Sequence, residues 1–386
     1  MELKTARGRL FLLLAIIISL PLLNYNFNFI ESGKLEGVSP KAELTPFSLK
    51  SWWDGTFQQQ RNTLMNDSIG FRPDLVRMNN QLDYSLFSKI NASSIVLGKD
   101  QYLFERTYLD EYNGVGYMGD STIIKVCTKL KRVQDTLAKL GKTFVVAYSP
   151  SKAYFFSEKI PDYLRRLPRP KSNYDGFKHF GDSLKLKLLD YNEMFKSMRD
   201  TSKQVLMSRQ GIHWSKYGGV VAADSMIKYI ERERDISMPH IKIVNLKRTD
   251  TAQMPDNDLA QILNLIYPMH KEVLTYPDCE YVGKDATKPK VIYIGDSFLW
   301  LWIGNHLMEE TNKDWEFWPH FHEVWTLRTI TGKENGPRLM ENYDWKGSVE
   351  KADCIVFMFT AINLRGFTSP NGFLENIYKH YYPNEK

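Results

Sequence analysis

Three short runs of the chain are apolar on both faces, and each is flanked by sequence with a helical pattern. They lie at residues 143–148, 291–294 and 354–359. A strand with one solvent-exposed face alternates apolar and polar side chains, whereas a strand that is apolar throughout must be covered on both faces. Strands of this kind, separated by helices, are typical of a parallel sheet with helices on both faces. The chain is therefore predicted to be an α/β protein with three layers, α/β/α.

The N-terminus has the pattern of a membrane anchor. Basic residues among the first nine precede an apolar stretch at 10–23, which continues to Ile30 before Glu31 introduces a charge. Basic residues mark the cytoplasmic side of such a segment. No small-residue cleavage motif and no lipidation cysteine follow it, which favours an uncleaved signal anchor. We expect a cytoplasmic tail at 1–9, a transmembrane segment at 10–30 and the rest of the chain outside the cytoplasm.

The remaining sequence is predicted to hold a linker at 31–56 and one domain at 57–386. Apolar residues make up 43% of the chain and charged residues 25%, which suits a globular core. The net charge of +6 comes from scattered residues without a long basic run, so no nucleic-acid partner is expected. The three cysteines lack the spacing of a zinc site or a disulfide framework.

The tripeptide Gly295-Asp296-Ser297 follows the second apolar run and precedes a segment with a helical pattern. This is the carboxyl edge at which open α/β sheets place their ligands. A serine in such a turn exposes its hydroxyl, and backbone amides at the helix start can stabilise an oxyanion. Ser297 is therefore a candidate nucleophile, and the alternative is a helix-capping serine without chemistry.

A second candidate is His213, which lies in Gly211-Ile212-His213-Trp214 just before a predicted helix. Histidine is a common general base because its pKa lies close to neutral pH. The alternative is a packed structural histidine beside Trp214. The catalytic hypothesis requires His213 and Ser297, which are distant in the chain, to meet at one edge of the sheet.

Taken together, these motifs resemble the AlgX/AlgJ-like family of SGNH-hydrolase-type acetyltransferases. Gly295-Asp296-Ser297 is similar to the nucleophile block of SGNH hydrolases, and His213-Trp214 to the His-Trp of this family, in the same order along the chain. Residues 98–104 resemble the family's GKDGWLF motif, and 149–153 resemble its P-x-K loop. The likeness runs from about residue 57 to the C-terminus, and it implies a circularly permuted SGNH-hydrolase sandwich behind an N-terminal transmembrane helix.

The resemblance also implies an activity. The chain is expected to be an O-acetyltransferase that moves an acetyl group through a serine acyl-enzyme to hydroxyls of an exported polysaccharide. The expected donor is an MBOAT-type membrane O-acyltransferase, and the expected location is the bacterial inner membrane with the domain in the periplasm. No cofactor and no metal are expected. The alternatives are a carbohydrate esterase and a catalytically silent carbohydrate-binding or scaffold subunit.

The same resemblance implies roles for further residues. Asp296 and Asn363 are expected to support the site, with Asn363 as a candidate oxyanion donor, although a turn asparagine is an equal alternative. Lys152, Trp214 and Trp300 are expected to bind substrate, and Trp300 could do so by stacking on a sugar ring.

The chain departs from the family at the position of the triad acid. The family usually has an aspartate two residues before the histidine, where this chain has Gly211. Loss of that acid costs about 10⁴ in turnover in a serine-protease triad. The protein is therefore expected to be slow, to be inactive, or to recruit another carboxylate such as Asp190 or Asp224, and the sequence does not choose.

A pair of histidines and an Asp-Asn-Asp segment resemble metal sites only superficially. His320 and His322 have no third ligand at a suitable spacing. Asp256-Asn257-Asp258 is better explained as an acidic helix start before an apolar helical pattern.

Overall fold

The computed structural model describes residues 6–37, 46–269 and 271–385. The chain divides into two compact units, Met1–Ser93 with Ala260–Met269, and Ser94–Leu259 with His270–Lys386. The predicted cytoplasmic tail lies partly outside the described residues, as does the predicted linker. The domain predicted at 57–386 includes parts of both units, and the unit that holds the candidate site begins at Ser94.

The first unit is helical. Its helices are α1 (Ala6–Phe27), α2 (Leu49–Trp53), α3 (Thr56–Ser68) and α4 (Arg72–Phe87). By length and composition α1 can cross a membrane, and of its described residues only Gly8 and Asn24 are buried. The helix overlaps most of the predicted transmembrane segment at 10–30, and this apolar helix fits the predicted anchor.

The second unit contains the strands. They are β1 (Ile95–Leu97), β2 (Leu103–Glu105), β3 (Thr143–Tyr148), β4 (Leu188–Asp190), β5 (His240–Thr249), β6 (Leu274–Val282), β7 (Lys290–Gly295), β8 (Asp314–Pro319), β9 (Glu323–Thr326), β10 (Arg338–Leu339) and β11 (Cys354–Phe359). The main sheet has seven strands in the order β10-β9-β8-β7-β11-β3-β4. Strands β8, β7, β11, β3 and β4 run parallel. At one edge, β9 pairs antiparallel with β8, and β10 pairs antiparallel with β9.

Helices cover both faces of this sheet. The remaining helices are α5 (Arg106–Tyr112), α6 (Asp120–Lys139), α7 (Lys152–Phe155), α8 (Asn173–Ser183), α9 (Tyr191–Met198), α10 (Lys216–Arg234), α11 (Asp258–Ile262), α12 (Leu299–Gly304), α13 (Leu327–Ile330), α14 (Trp345–Lys351) and α15 (Phe373–Tyr381). One hydrophobic core contains side chains of α10 and α12, and the other contains side chains of α6, α8 and α15.

Strand β3 shows how the two cores are divided. Val145 and Ala147 belong to the first core, while Phe144, Val146 and Tyr148 belong to the second. Successive side chains of a strand point to opposite faces, so a strand with a core on each side must be apolar throughout. The three predicted strands are confirmed as β3, β7 and β11, which are parallel neighbours in the sheet. The three-layer α/β/α sandwich is likewise confirmed.

A long antiparallel pair, β5 and β6, lies outside the main sheet and was missed by the sequence analysis. Most of β5 is exposed or half-buried, so it lacks the uniform apolar pattern of the central strands. The chain that follows β5 includes residues 250–259. These residues bring an additional carboxylate to the candidate site.

Candidate active site

Ser297 lies in the turn between β7 and α12, at the carboxyl edge of the sheet, and is exposed to solvent. The turn depends on Gly295 at the end of β7. A Cβ atom at this position would lie 2.2 Å from the carbonyl oxygen of Met358 in β11. Only glycine allows the two backbones to approach so closely.

The carboxylate of Asp296 ties the turn to the end of β11. One oxygen accepts hydrogen bonds from Thr360 N at 2.6 Å, Thr360 Oγ1 at 2.8 Å and Asn363 Nδ2 at 2.9 Å. The other accepts from Phe298 N at 3.3 Å. Asp296 is 2% exposed, so these donors replace the water that a carboxylate requires. The arrangement fixes the backbone on both sides of Ser297.

The structure gives Asn363 a supporting position. Its Nδ2 donates to Asp296 and also to Thr360 Oγ1 at 3.1 Å, so the amide holds the Asp296 carboxylate. The backbone N–H of Ser297 has no hydrogen-bond acceptor among the described residues. The Asn363 amide, which was the oxyanion candidate from sequence, is already engaged with Asp296 and Thr360, whereas the Ser297 N–H is not.

His213 lies within hydrogen-bonding distance of Ser297, with its Nε2 2.8 Å from Ser297 Oγ. The histidine precedes α10, whose first turn is capped by Ser215 Oγ accepting from Gly218 N at 2.9 Å. Its ring packs against Phe298 with 4.8 Å between ring centroids. The structure therefore brings together the two candidate residues, 84 positions apart in the chain.

The second ring nitrogen of His213 faces Asp258. Asp258 Oδ2 lies 2.6 Å from His213 Nδ1, and Asp258 Oδ1 accepts from Ile212 N at 2.8 Å. The side chains of His213 and Asp258 are 18% and 14% exposed. A carboxylate at Nδ1 favours the tautomer with its proton there, which leaves Nε2 free to accept a proton from the serine. Asp258, His213 and Ser297 thus form a hydrogen-bonded series with the geometry of a catalytic triad.

The space next to Gly211 explains why the acid comes from elsewhere. A Cβ atom on Gly211 would lie 2.7 Å from the carbonyl oxygen of Pro255 and 3.0 Å from the carbonyl carbon of Asp256. Real Cβ atoms do not approach backbone atoms to 2.7 Å. The segment that carries Asp258 therefore fills the volume where an aspartate side chain at position 211 would begin.

The other carboxylates suggested from sequence are engaged elsewhere. Asp190 caps α9 and accepts from Tyr174 Oη at 2.7 Å. Asp224 forms an ion pair with Lys228 at 2.7 Å. Asp258 does start a helix, as predicted, but the sequence analysis missed its contact with His213. No local signal identifies that contact, because the two residues are 45 positions apart.

Lys152 was predicted to bind substrate, but its position in the structure does not suit that role. It is 1% exposed, and its Nζ donates to the carbonyl oxygens of Arg209 at 2.7 Å and Gly211 at 2.6 Å. Burial lowers its pKa to about 7. A side chain with no free surface does not reach a polysaccharide, so Lys152 instead anchors the segment before His213.

The two tryptophans predicted to bind substrate differ in exposure. Trp214 has no exposed surface and stacks on Trp302 at 5.3 Å, so it is a core residue and its predicted substrate contact is corrected. Trp300 is 36% exposed and packs edge-on against Trp325 at 5.0 Å. Its predicted role in stacking on a sugar remains a prediction.

The fold and the site define an SGNH-hydrolase-type protein with a serine at the carboxyl edge of its sheet. The family model described as "SGNH hydrolase-like domain, acetyltransferase AlgX" matches residues 95–317, which is more than half of the chain. The chain therefore belongs to this acetyltransferase family, as its motifs had indicated.

Individual relatives are distant. The chain is 25% identical over 211 residues to the probable alginate O-acetylase AlgJ of Pseudomonas putida, covering 54% of this chain and 51% of that protein. It thus spans about half the length of this curated relative. The O-acetyltransferase domain of Pseudomonas putida AlgJ is 18% identical with a TM-score of 0.46, covering 74% of this chain and 99% of that one.

Two other solved structures have similarly low sequence identities and TM-scores. Pseudomonas aeruginosa AlgX is 15% identical with a TM-score of 0.44, covering 71% of this chain and 64% of that one. Bacillus cereus PatB1 with a sulfonyl adduct is 11% identical with a TM-score of 0.46, covering 71% and 99%.

Proposed function

We propose that this chain is an O-acetyltransferase that passes an acetyl group through Ser297 to a hydroxyl of an exported polysaccharide. The observation that supports it most strongly is the hydrogen-bonded series Asp258, His213 and Ser297, with the serine open to solvent. A half-buried acid, an imidazole and an accessible hydroxyl provide the groups that nucleophilic acyl transfer requires.

Each chemical step uses one of these groups. Ser297 Oγ bonds to the acetyl carbonyl carbon of the donor while His213 Nε2 takes the hydroxyl proton. The donor's C–O bond then breaks, and His213 returns the proton to the departing oxygen. An acceptor hydroxyl attacks the resulting serine ester and gives its proton to His213, after which Ser297 leaves and is reprotonated. The N–H of Ser297 stabilises the oxyanion in both halves.

The donor, the acceptor and the location form part of the same proposal. The acetyl group comes from an MBOAT-type membrane O-acyltransferase, and α1 anchors the chain in the bacterial inner membrane with the site in the periplasm. The length and exposure of α1 support the anchor. The named activity of the AlgJ relative, alginate O-acetylation, supports a polysaccharide acceptor.

The proposed acyl-enzyme is tested by mass spectrometry. Purified full-length protein in detergent is mixed with p-nitrophenyl acetate, quenched rapidly and digested. We expect one added acetyl group on the peptide that contains Ser297, and none after Ser297→Ala. A folded native protein, checked by circular dichroism, that neither acetylates nor reacts with a fluorophosphonate probe would exclude the mechanism and leave the silent scaffold function.

The solvent exposure of Ser297 favours one second candidate, a carbohydrate esterase, because water can reach the same acyl ester. The two functions differ in the fate of the acetyl group. In the presence of polysaccharide, a transferase acetylates the sugar, whereas an esterase releases acetate at an unchanged rate. We expect the ratio of transferred to hydrolysed acetyl to rise with acceptor concentration.

A further inference from the structure

A pocket of about 250 Å³ lies beside the catalytic turn, at the carboxyl ends of β7, β8 and β11. We call it the imidazole pocket, and the side chains that matter here are those of His320, His322, Phe359, Asn363, Ser369 and Asn371. Asn363 also donates to Asp296, the residue before Ser297. One wall of the pocket is therefore part of the structure that holds the nucleophile.

His320 is held at the mouth of this pocket by its backbone. Its N–H donates to the carbonyl oxygen of Gly295 at 2.9 Å, which ties the exit of β8 to the end of β7. His320 and Phe321 have φ angles of 48° and 62°, a conformation that is uncommon for residues other than glycine. Such conformations persist where surrounding contacts enforce them, often at functional sites. The imidazole is thus placed beside the catalytic turn and left accessible to solvent.

The lining is largely apolar, with polar groups contributed by His320, His322, Asn363, Ser369 and Asn371, and it lacks fixed charge. Among the described residues that line the pocket there is no Lys, Arg, Asp or Glu. Partial burial lowers the pKa of His320, which favours the uncharged form of its ring. A neutral imidazole both donates and accepts a hydrogen bond, as do amides and hydroxyls. The buried ring of Phe359, 5.8 Å from the ring of His320, adds an apolar surface.

This combination suits one kind of ligand. Sugar hydroxyls need paired donors and acceptors, and the faces of sugar rings pack on aromatic rings. A carboxylate that enters the pocket loses its hydrating water and gains no cation as a partner. Binding a carboxylate there therefore costs free energy. The volume is below the roughly 300–1,000 Å³ of sites for drug-sized ligands, and it suits a single sugar ring.

We propose that the imidazole pocket binds the acceptor sugar next to Ser297 and that it selects a neutral sugar unit over a uronic acid. This inference rests on the proposed acetyl transfer through Ser297. It differs from the substrate named for the alginate relative, whose polymer is a polyuronate.

The chain offers a matched pair of variants that test the pocket without disturbing the core. Gly366 lines the pocket, and a Cβ atom added there meets nothing within 4 Å. Gly304, at the end of α12, is equally open but does not line the pocket. Neither glycine has a left-handed backbone. Gly366→Leu should fill the pocket, and Gly304→Leu is the control for adding the same side chain to an exposed glycine.

The experiment uses full-length protein with p-nitrophenyl acetate as donor and a panel of acceptors. The panel contains neutral hexasaccharides of glucose, mannose, galactose and N-acetylglucosamine, together with a mannuronate hexasaccharide. We expect at least one neutral acceptor to be acetylated about tenfold or more faster than the mannuronate, because an unpaired carboxylate is costly to desolvate. We also expect Gly366→Leu to lower the ratio of transferred to hydrolysed acetyl about tenfold, and Gly304→Leu to keep that ratio.

Three results would overturn the inference while leaving the proposed function intact. The first is a mannuronate hexasaccharide that is acetylated at the same rate as the best neutral acceptor. The second is a ratio of transferred to hydrolysed acetyl that Gly366→Leu leaves unchanged. The third is an acetylated Ser297 that transfers its acetyl group to no neutral hexasaccharide. Failure of Ser297 to acetylate at all would overturn the proposed function and, with it, this inference.

Discussion

Asp258 Oδ2 lies 2.6 Å from His213 Nδ1, although the family's usual acid position, two residues before the histidine, is a glycine in this chain. The glycine and the aspartate are structurally linked. The backbone just before Asp258 occupies the space that a side chain at Gly211 would need. The two positions are therefore alternative sources of one carboxylate, and this chain has room for only one of them.

Restoring the family's aspartate at position 211 should therefore harm the protein. Gly211→Asp places a Cβ atom 2.7 Å from the carbonyl oxygen of Pro255, which forces the backbone of the Asp258 segment to move. We expect a loss of stability of about 1–3 kcal/mol, as for overpacked cores, and a lower rate of acetylation. Urea unfolding and the p-nitrophenyl acetate burst measure the two effects. Gly304→Asp, which adds the same side chain to an open position, should change neither, and a Gly211→Asp enzyme that is faster than the native one would refute this explanation.

The stability of the protein should fall between pH 4 and pH 7 because of Asp256. This residue is 1% exposed, and burial raises its pKa from 3.8 to about 7. The native state therefore keeps a proton that the unfolded state releases above pH 4, so stability is lost as the pH rises to about 7. Each pKa unit corresponds to about 1.4 kcal/mol, and the total is a few kcal/mol.

Asp256→Asn removes this titration. We expect the variant to have a smaller difference in unfolding free energy between pH 5 and pH 8 than the native protein, measured by urea denaturation. Burial also raises the pKa of Glu111 to about 7, so this residue contributes to the pH dependence of stability that remains in the variant. An identical pH dependence in variant and native protein would show that Asp256 is ionised in the folded state.

Lys152 provides a test of positioning against substrate contact. Its ammonium holds the carbonyl oxygens of Arg209 and Gly211, just before His213. We expect Lys152→Met to lower kcat by up to about 10²-fold, because small displacements of a catalytic base are costly, while the KM for the polysaccharide acceptor stays close to its native value. Steady-state kinetics at varied acceptor concentration separate the two constants. A raised KM with an unchanged kcat would restore the substrate-binding role expected from the sequence.

Trp300 should act on the acceptor and not on acylation. Its exposed indole lies three residues after Ser297, and an aromatic contact with a sugar ring is worth about 1 kcal/mol. We expect Trp300→Ala to raise the acceptor KM by roughly fivefold and to preserve the burst with p-nitrophenyl acetate. Trp325→Ala is the control, since that neighbouring ring is less exposed. Equal acceptor KM values in native protein and Trp300→Ala would exclude the stacking role.

The sheet was predictable because its central strands are apolar on both faces, a pattern that few other environments produce. The proximity of Ser297 and His213 was predictable only as a hypothesis. A sequence pattern indicates where strands end, but it does not indicate which loops come into contact at the edge of the sheet. Asp258 lies in a connection after β5, a strand with no strong apolar pattern, so its contact with His213 depends on long-range packing. Lys152 was misinterpreted because lysines are rarely buried, and only the two carbonyl groups it satisfies account for its position.

The central claim, that Asp258 supplies the triad acid, is tested most directly by the rate of Ser297 acetylation in Asp258→Asn, measured by rapid quench with p-nitrophenyl acetate. We expect a loss of about 10⁴-fold, as when the acid of a serine-protease triad is replaced by its amide, with unchanged thermal unfolding. Asp224→Asn, the matched change at a carboxylate suggested from sequence, should stay near the native rate. A rate in Asp258→Asn within a few-fold of the native rate would contradict the account.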